Sequence, residues 1–196
     1  MRLRNLFLGL GTKSVLGMMA IIGTSTSIMA ESGRRVLFDF DKEVIEAWRS
    51  VNDNVMGGRS EGSSRITESG VLEFYGNLSL ENRGGFASIR CAPGEIDLSK
   101  SRAIVLRVRG DGRTYYCNLH VPTSRVAYSY RASFETEPGQ WQEIKIPMKQ
   151  FQATWFGRVM KSDPPIDSSK VLSIGLMIAD KKPGPFKLEV DWIKSE

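Results

Sequence analysis

The chain contains few of the residues that metal sites and hydrolytic enzymes need: its 196 residues include one histidine and two cysteines. The cysteines, Cys91 and Cys117, do not form a Cys-x-x-Cys motif, so we do not expect a zinc site. The histidine, His120, has no neighbouring serine or cysteine with an acidic partner, so the sequence does not support a hydrolytic triad. No activated nucleophile or acid–base pair is evident, which predicts a non-catalytic protein without a cofactor or a metal ion.

Charge of one sign is not concentrated anywhere either, since no run of five or more like charges occurs. The formal net charge is +5, from 27 basic and 22 acidic residues. Three of the basic residues, Arg2, Arg4 and Lys13, lie in the first 30 residues, where there is no acidic residue; without them 24 basic residues remain and the net charge is +2. We therefore expect no nucleic-acid partner.

Residues 1–30 have the layout of a signal peptide. The basic start is followed by an apolar run over residues 15–22 and by small, polar residues that end at Ala30. This layout predicts cleavage after Ala30, a single domain over residues 31–196, and an exported protein, periplasmic or extracellular. An uncleaved signal is the alternative and the one membrane contact that we expect, although the apolar run is shorter than the ~20 residues that span a bilayer. A mitochondrial transit peptide would share the basic, acid-free start, but it should be amphipathic, and this segment has an unbroken apolar core.

The rest of the chain shows the period-two alternation of β-strands, with one short helix expected over residues 42–50. About ten short strands at a spacing of 8–12 residues predict an all-β fold, a jelly-roll β-sandwich with little helix. Residues 110–112, Gly-Asp-Gly, predict a hairpin between two of these strands. Residues 139–147 resemble a strand common in jelly rolls of the galactose-binding type, in which the tryptophan, here Trp141, is expected to point into the core.

The two cysteines are expected to point inward. Each has an apolar residue two positions away, Ile89 for Cys91 and Leu119 for Cys117. Outside the cytoplasm two such cysteines could form a disulfide. The alternative, which we favour, is a pair of buried thiols, since the sequence does not give the distance between their Cα atoms.

Two glycine-rich segments, residues 52–60 and 81–90, are the main candidates for function. Each combines polar amides, charged groups and a Gly-Gly pair, a composition that lets the backbone approach a partner. One interpretation is a binding surface at one end of the sandwich, with Asn52, Asp53 and Met56 presented to a ligand. The other is that Asn52 and Asp53 cap a buried turn and Met56 fills the core.

Arg90 could hold the carboxylate of Asp53 or Asp111 in a bidentate pair, and the three residues would then line one polar patch. The sequence favours such structural pairing over capture of a ligand by Arg90. The candidate binding residues are Asn52, Asp53, Met56, Gly57, Gly58, Asn82, Gly84, Gly85, Arg90 and Asp111.

The two segments together resemble the motifs of the complex I intermediate-associated protein 30 (CIA30) family. Its pattern reads roughly W-x-x-x-N-D-x-V-M-G-G-x-S, which begins here at Trp48, followed by E-N-x-G-G-F-A-S-x-R. The resemblance covers residues 36–193 and includes the R-G-D-G turn at 109–112, which in the family is structural. It implies a galactose-binding-like jelly roll and a chaperone-like factor that binds assembly intermediates of NADH:ubiquinone oxidoreductase (complex I) without catalysis. The implied partner is a protein, either a subunit of a membrane complex or an envelope protein.

An extracytoplasmic carbohydrate-binding module is the alternative function, argued from the fold alone. It requires exposed aromatic side chains, and the candidates for stacking on sugars are Tyr115, Tyr116, Tyr128, Tyr130 and Trp155. Of the first two, which lie on opposite faces of one strand, one should be core and the other exposed. Calcium could be bound by Asp39, Asp41, Asp180 and Asp191. No D-x-D-x-D-G spacing occurs, however, so these carboxylates are better interpreted as solvated or turn-capping groups.

Overall fold

The computed structural model describes residues 33–40, 48–94 and 96–196. The predicted signal peptide lies outside the described residues, as does most of the helix expected over residues 42–50. The last three residues of that expected helix are described and are not helical, since Trp48 lies in a loop and Arg49–Ser50 form a strand.

Thirteen strands and four short 3-10 helices lie within the described residues. The strands are β1 (Arg35–Asp39), β2 (Arg49–Ser50), β3 (Glu61–Ile66), β4 (Leu72–Leu78), β5 (Ala87–Arg90), β6 (Ala103–Arg109), β7 (Thr114–His120), β8 (Tyr128–Glu135), β9 (Trp141–Pro147), β10 (Gln152–Trp155), β11 (Arg158–Val159), β12 (Ser173–Ile178) and β13 (Gly184–Ser195). The 3-10 helices are Asp53–Met56, Glu81–Arg83, Met148–Gln150 and Ser168–Lys170.

The strands form two antiparallel sheets packed around one core. The six-stranded sheet has the order β3-β4-β13-β6-β9, with β1 also paired to β13, and the seven-stranded sheet has the order β11-β10-β8-β7-β12-β5-β2. Apolar side chains from both sheets, such as Phe74, Leu106 and Leu119, are completely buried in the core. The predicted all-β sandwich is confirmed. Among the strands beyond the expected ten are β2 and β11, whose two residues are too short to show alternation.

Trp141 does not point into the core, so the prediction for this residue is wrong. Ile146 of β9 is buried, and the alternation of the strand places Trp141 on the opposite, outer face. Its indole ring lies beside two guanidinium groups, those of Arg107 at 5.5 Å and Arg109 at 4.8 Å from the ring centroid. Cation–π attraction stabilises this stack on the outer face of the six-stranded sheet.

Candidate functional site

The two glycine-rich segments meet at the carboxylate of Asp53. One oxygen of this carboxylate accepts a hydrogen bond from the Ser60 backbone N–H at 2.8 Å, and the other accepts one from the Ser60 hydroxyl at 2.6 Å. The second oxygen also accepts from the N–H groups of Gly85 at 2.7 Å and Phe86 at 3.2 Å, both in the second segment. Asp53 is 1% exposed, so its side chain links the two loops from the protein interior and is not presented to a ligand.

Hydrogen bonding keeps the Asp53 carboxylate ionised in spite of its burial. Burial acts to raise the pKa of this group, but the Ser60 hydroxyl and the backbone N–H groups of Gly85, Ser60 and Phe86 together lower the pKa below its ordinary value. A charged acceptor strengthens each of these hydrogen bonds. Asp53 therefore links the two loops through buried hydrogen bonds.

Asn52 has a similar structural role one residue earlier. Its amide nitrogen donates to the Gly62 carbonyl oxygen at 3.0 Å, and its amide oxygen accepts from the Ser88 N–H at 3.3 Å. The side chain therefore links the first loop to β3 and β5. Asn52 and Asp53 thus stabilise a buried turn, in agreement with the interpretation that gives them a capping role and not a ligand-binding one.

Two of the glycines in the glycine-rich segments are needed for space around Asp53. A Cβ atom on Gly58 would lie 2.4 Å from the Asp53 Cγ, and one on Gly84 would lie 2.5 Å from the Asp53 Oδ2. Gly57 is different, since nothing lies within 4 Å of its Cβ position and its backbone has a φ of +89°. Gly57 ends the first 3-10 helix in the left-handed conformation that glycine adopts most easily.

Gly58→Ala is expected to lower the free energy of unfolding by about 2 kcal/mol or more, because the new methyl group displaces Asp53 from its hydrogen bonds. Gly57→Ala is the matched control and should cost about 1 kcal/mol, from backbone strain alone. Urea unfolding of both variants measures the difference. Equal losses in the two variants would contradict the packing role assigned to Gly58.

Apolar and charged side chains of the two loops linked by Asp53 are exposed at the surface. Val55, Met56 and Leu80 are 71%, 59% and 43% exposed. Arg59 of the first loop and Glu81 of the second form an ion pair across the junction, with 2.8 Å between Nη1 and Oε2. We call these five residues the two-loop surface. Because Met56 is exposed, the interpretation that it fills the core is wrong.

The second loop has an unusual backbone beside this surface. Asn82 has a φ of 54° and a ψ of 34°, the left-handed conformation that asparagine tolerates well, and Gly85 has a φ of +129°. A surface depression of about 490 Å³ adjoins the loop, lined by residues 77–81 and 183–184. The start of the second loop, with Leu80 and Glu81, therefore forms one side of this depression.

Arg90 and Asp111 lie apart from Asp53 in their contacts, and the predicted common patch is not formed. Arg90 forms no ion pair with either carboxylate among the described residues; its Nη1 lies 3.3 Å from the Nδ1 of His120. Asp111 accepts hydrogen bonds from the Tyr115 hydroxyl at 3.0 Å and from the Lys187 N–H at 2.8 Å. Asp111 thus holds the turn between β6 and β7 to β13, which is a structural role. The predicted hairpin at residues 110–112 is wrong, because β6 and β7 belong to different sheets and do not pair with each other.

Both cysteines are buried thiols in the structure. The Cys91 Sγ lies 3.3 Å from the Ile174 N–H, which donates to it. Burial, and secondarily the neighbouring Cys91, raises the pKa of Cys117 to about 12. A thiol with so high a pKa is a poor nucleophile at neutral pH.

The aromatic candidates do not form a flat sugar platform. Tyr115 and Tyr130 are buried, and Tyr116 is half-buried beneath the Arg131 guanidinium. Trp155 and Phe156 are exposed and adjacent, with ring centroids 5.6 Å apart, but their planes are tilted by 53°. The prediction that one of Tyr115 and Tyr116 is core and the other exposed holds for the buried Tyr115, whereas Tyr116 lies on the outer face but is only half-buried.

No group of three or more potential metal ligands occurs in the part of the chain that the structure describes. Asp180 and Asp191 pair with Arg113 and Arg107, while Asp41 lies outside the described residues. Within the same residues no helix is long and apolar enough to cross a membrane.

Comparison with solved structures defines the class of fold as that of carbohydrate-binding β-sandwich modules. The family 11 carbohydrate-binding module of the cellulosomal cellulase Lic26A-Cel5E of Clostridium thermocellum has a TM-score of 0.62 at 21% identity, covering 83% of this chain and 94% of that one. A family 30 carbohydrate-binding module has a TM-score of 0.53 at 14% identity, covering 84% and 88%. At these identities the likeness shows the fold alone.

The sequence profile of the family described as Complex I intermediate-associated protein 30 (CIA30) matches residues 38–190. The chain belongs to this family. The mouse protein named "Complex I intermediate-associated protein 30, mitochondrial" is 34% identical over 183 residues, covering 81% of this chain and 55% of that protein. The Drosophila melanogaster protein of the same name is 30% identical over 185 residues, covering 82% and 62%. The chain thus spans little more than half the length of the mouse relative.

The prediction of an exported protein is wrong, because the relatives are named as mitochondrial proteins. The error has a simple origin. Export signals and mitochondrial targeting segments both begin with basic residues and lack acidic ones, so only the short apolar run at residues 15–22 favours export in this sequence.

Proposed function

We propose that this protein is a mitochondrial, non-catalytic assembly factor that binds an assembly intermediate of respiratory complex I through the two-loop surface. The names of its relatives supply the class of partner, since each is called a complex I intermediate-associated protein. The observation that carries the proposed site is the exposure of Val55 and Met56 at the tip of a loop whose base is hydrogen-bonded through Asp53.

A loop of this construction is suited to binding a protein. Exposed apolar side chains, methionine in particular, contribute the buried centre of many protein interfaces. Because Asp53 already fixes the two loops against each other, little conformational entropy remains to be lost when a partner binds. The Arg59–Glu81 pair at the edge is exposed on both sides, so it can contribute orientation at the rim while adding only about 0–1 kcal/mol to stability.

The alternative of carbohydrate binding has weaker support. It depends on a fold likeness below 25% identity, and fold alone does not determine function. The exposed aromatic pair, Trp155 and Phe156, is tilted and so does not present one flat face to a sugar ring.

Met56→Asp is expected to reduce recovery of complex I subunits with the tagged full chain at least about tenfold, because a charge in the apolar centre of an interface costs more than about 1.4 kcal/mol. Folding should be unaffected, since the Met56 side chain is already 59% exposed. Quantitative mass spectrometry after affinity purification from mitochondria measures the recovery.

Val126→Asp is the matched control. Val126 is 76% exposed in the segment before β8 and is not part of the two-loop surface. Recovery with this variant should equal that of the unchanged protein. If both variants recover the same amount of complex I subunits, or if the unchanged protein recovers none, the proposed function is contradicted.

A further inference from the structure

A row of four residues crosses the outer face of the seven-stranded sheet and places two arginines on either side of a short floor. Arg90 on β5 is in register with Gly175 on β12, Gly175 with Asn118 on β7, and Asn118 with Arg131 on β8. Three strand spacings separate the two arginines, about 14 Å between Cα atoms. Two long cationic side chains thus flank a glycine and a short amide. We call these four residues, with His120, the arginine row.

Neither arginine is neutralised by a carboxylate. The Arg131 Nε donates to the Asn118 side-chain oxygen at 3.1 Å, and its guanidinium lies 5.1 Å from the centre of the Tyr116 ring. Arg90 lies against His120. Among the described residues no acidic group lies within 4 Å of either guanidinium.

Other half-buried arginines of this fold are neutralised. Arg109 pairs with Glu189 and Arg113 with Asp180, and both pairs are bidentate. Proteins normally pair a charge that they remove from water. The arginine row departs from that rule at two positions on the same face.

The face around the row is polar and shielded from water. Asn118, Ser173, Ser129 and Thr154 point outward from their strands, yet they are only 2%, 2%, 6% and 3% exposed. Polar side chains that are buried on the outer side of a sheet show that the face is recessed. In such surroundings charge–charge interactions are stronger than at an open surface.

His120 reports the positive potential of this face. Burial first, then the nearby Arg90 and Arg131, lower its pKa to about 4, against a raising contribution from a hydrogen bond with the Tyr128 backbone. Burial also lowers the pKa of Arg131. At neutral pH the ring is uncharged. Because Arg90 can only donate, Nδ1 of His120 accepts and the proton lies on Nε2.

Gly175 contributes no side chain to the floor of the row. A Cβ atom there would lie 2.9 Å from the Ile89 carbonyl oxygen, 3.5 Å from the His120 Nε2 and 3.6 Å from the Arg90 Cβ. The imidazole and the Arg90 guanidinium are themselves in contact, with 3.3 Å between Nδ1 and Nη1, so a side chain at position 175 would push these groups and β5 away. Glycine lets β12 pass closely beside them and adds no side chain of its own between the two arginines.

We propose that the arginine row is an anion-binding site, in which the oxyanion of a small phosphorylated or carboxylated ligand lies over Gly175 between Arg90 and Arg131. A guanidinium group matches the geometry of both oxyanions with paired N–H donors. The ligand supplies the negative charge that the two arginines lack. The site shares no residue with the two-loop surface, so it is independent of the proposed function.

The single histidine makes the site directly observable by NMR in the full chain. At pH 5.5 the ring is neutral without ligand. Binding of inorganic phosphate or of succinate should raise its pKa by about 1 or more, since an adjacent opposite charge favours the protonated ring. The His120 ring signals should therefore move toward the imidazolium position, compared with chloride at equal ionic strength. By linkage the anion should bind at least about tenfold more tightly to the protonated form than to the neutral one.

Variants distinguish the site from general salt effects. Arg131→Gln and Arg90→Gln each raise the pKa of His120 without ligand, but they should abolish the further change on adding anion. Arg107→Gln, on the outer face of the other sheet, should leave that change intact. A response to phosphate alone assigns a phosphoryl ligand, a response to succinate alone a carboxylate, and a response to both a shared oxyanion site.

The proposal is overturned if neither anion moves the His120 signals beyond the chloride control, or if the response persists in both arginine variants. Arg131→Lys is the control for a loss of response that is caused by unfolding. It keeps the charge but not the planar donor pair, and it should weaken the response several-fold while the amide spectrum stays that of the folded protein.

Discussion

Asp53→Ala is expected to lower the free energy of unfolding by about 3–4 kcal/mol, because it removes a buried charged acceptor and leaves backbone N–H groups without partners. The carboxylate accepts two hydrogen bonds from Ser60, one from Gly85 and one from Phe86, and it is 1% exposed. Urea unfolding at pH 7 measures the loss. Ser60→Ala removes the hydroxyl donor to Asp53 and the acceptor of the Ser79 N–H but keeps the Asp53 charge, and it should cost less, about 1–2 kcal/mol.

The effect of Asp53 should also depend on pH. Its pKa is lower in the folded protein than in the unfolded chain, so its contribution is fully present above the unfolded value of about 3.9. The contribution is lost as the pH falls through the lower, folded pKa. The stability gap between the unchanged protein and Asp53→Asn should therefore be largest at pH 5–7 and shrink below about pH 4. A gap that stays constant from pH 3 to pH 7 would show that the charge of Asp53 plays no part.

The expected destabilisation by Asp53→Ala makes Asp53 unsuitable for testing partner binding at the two-loop surface. Asp53 lies in the family motif, but a variant that unfolds cannot report on binding. The exposed Met56, three residues later, can be changed without disturbing the hydrogen bonds of Asp53. We therefore expect loss of partner binding from Met56→Asp in a folded protein, and from Asp53→Ala only through loss of folding.

Arg113→Met is expected to cost about 3–5 kcal/mol, the usual loss when one partner of a buried ion pair is removed. Arg113 and Asp180 form a bidentate pair, with Nη2–Oδ1 at 2.7 Å and Nε–Oδ2 at 3.0 Å, and their side chains are only 12% and 5% exposed. Arg113 also donates to the Pro185 carbonyl oxygen at 2.9 Å, which joins the start of β7 to the start of β13. The variant leaves Asp180 buried and unneutralised.

Two controls separate the buried pair from an ordinary surface contact. Arg59→Met breaks an ion pair whose partners are 66% and 64% exposed, and it should cost no more than about 1 kcal/mol. Adding Asp180→Leu to Arg113→Met removes the unneutralised charge and should recover a large part of the loss. A loss from Arg113→Met no greater than that from Arg59→Met would contradict the assigned role.

The fold could be predicted from the sequence because the alternation of inward and outward residues in a strand is a local property. The same local property indicates the outward direction of Trp141, which shares its face with Glu143 and Lys145. Analogy with other jelly rolls overrode that pattern and gave the wrong orientation. The two-residue strands β2 and β11 lack enough residues to show any pattern.

The candidate sites could be predicted only in part, because they depend on contacts between distant parts of the chain. The donors to Asp53 in the second loop lie 32 and 33 residues away, and nothing in the sequence shows that these loops meet. The arginine row depends on the register of four strands, β5, β12, β7 and β8, of which only β7 and β8 are consecutive in the chain. The sequence around Arg131 does not indicate a functional role, and only the pairing of Arg131 with Asn118 across two strands places it in the row.

Site-specific photo-crosslinking from position 56 tests the central proposal most directly. A photoreactive amino acid replaces Met56 in the full chain, expressed in cells of the source organism, and crosslinked proteins are identified by mass spectrometry from isolated mitochondria. The same amino acid at position 126 is the control. We expect subunits of complex I to be crosslinked from position 56 and not from position 126. Crosslinks to complex I subunits from neither position, or equally from both, would contradict the assignment of the two-loop surface as the binding site.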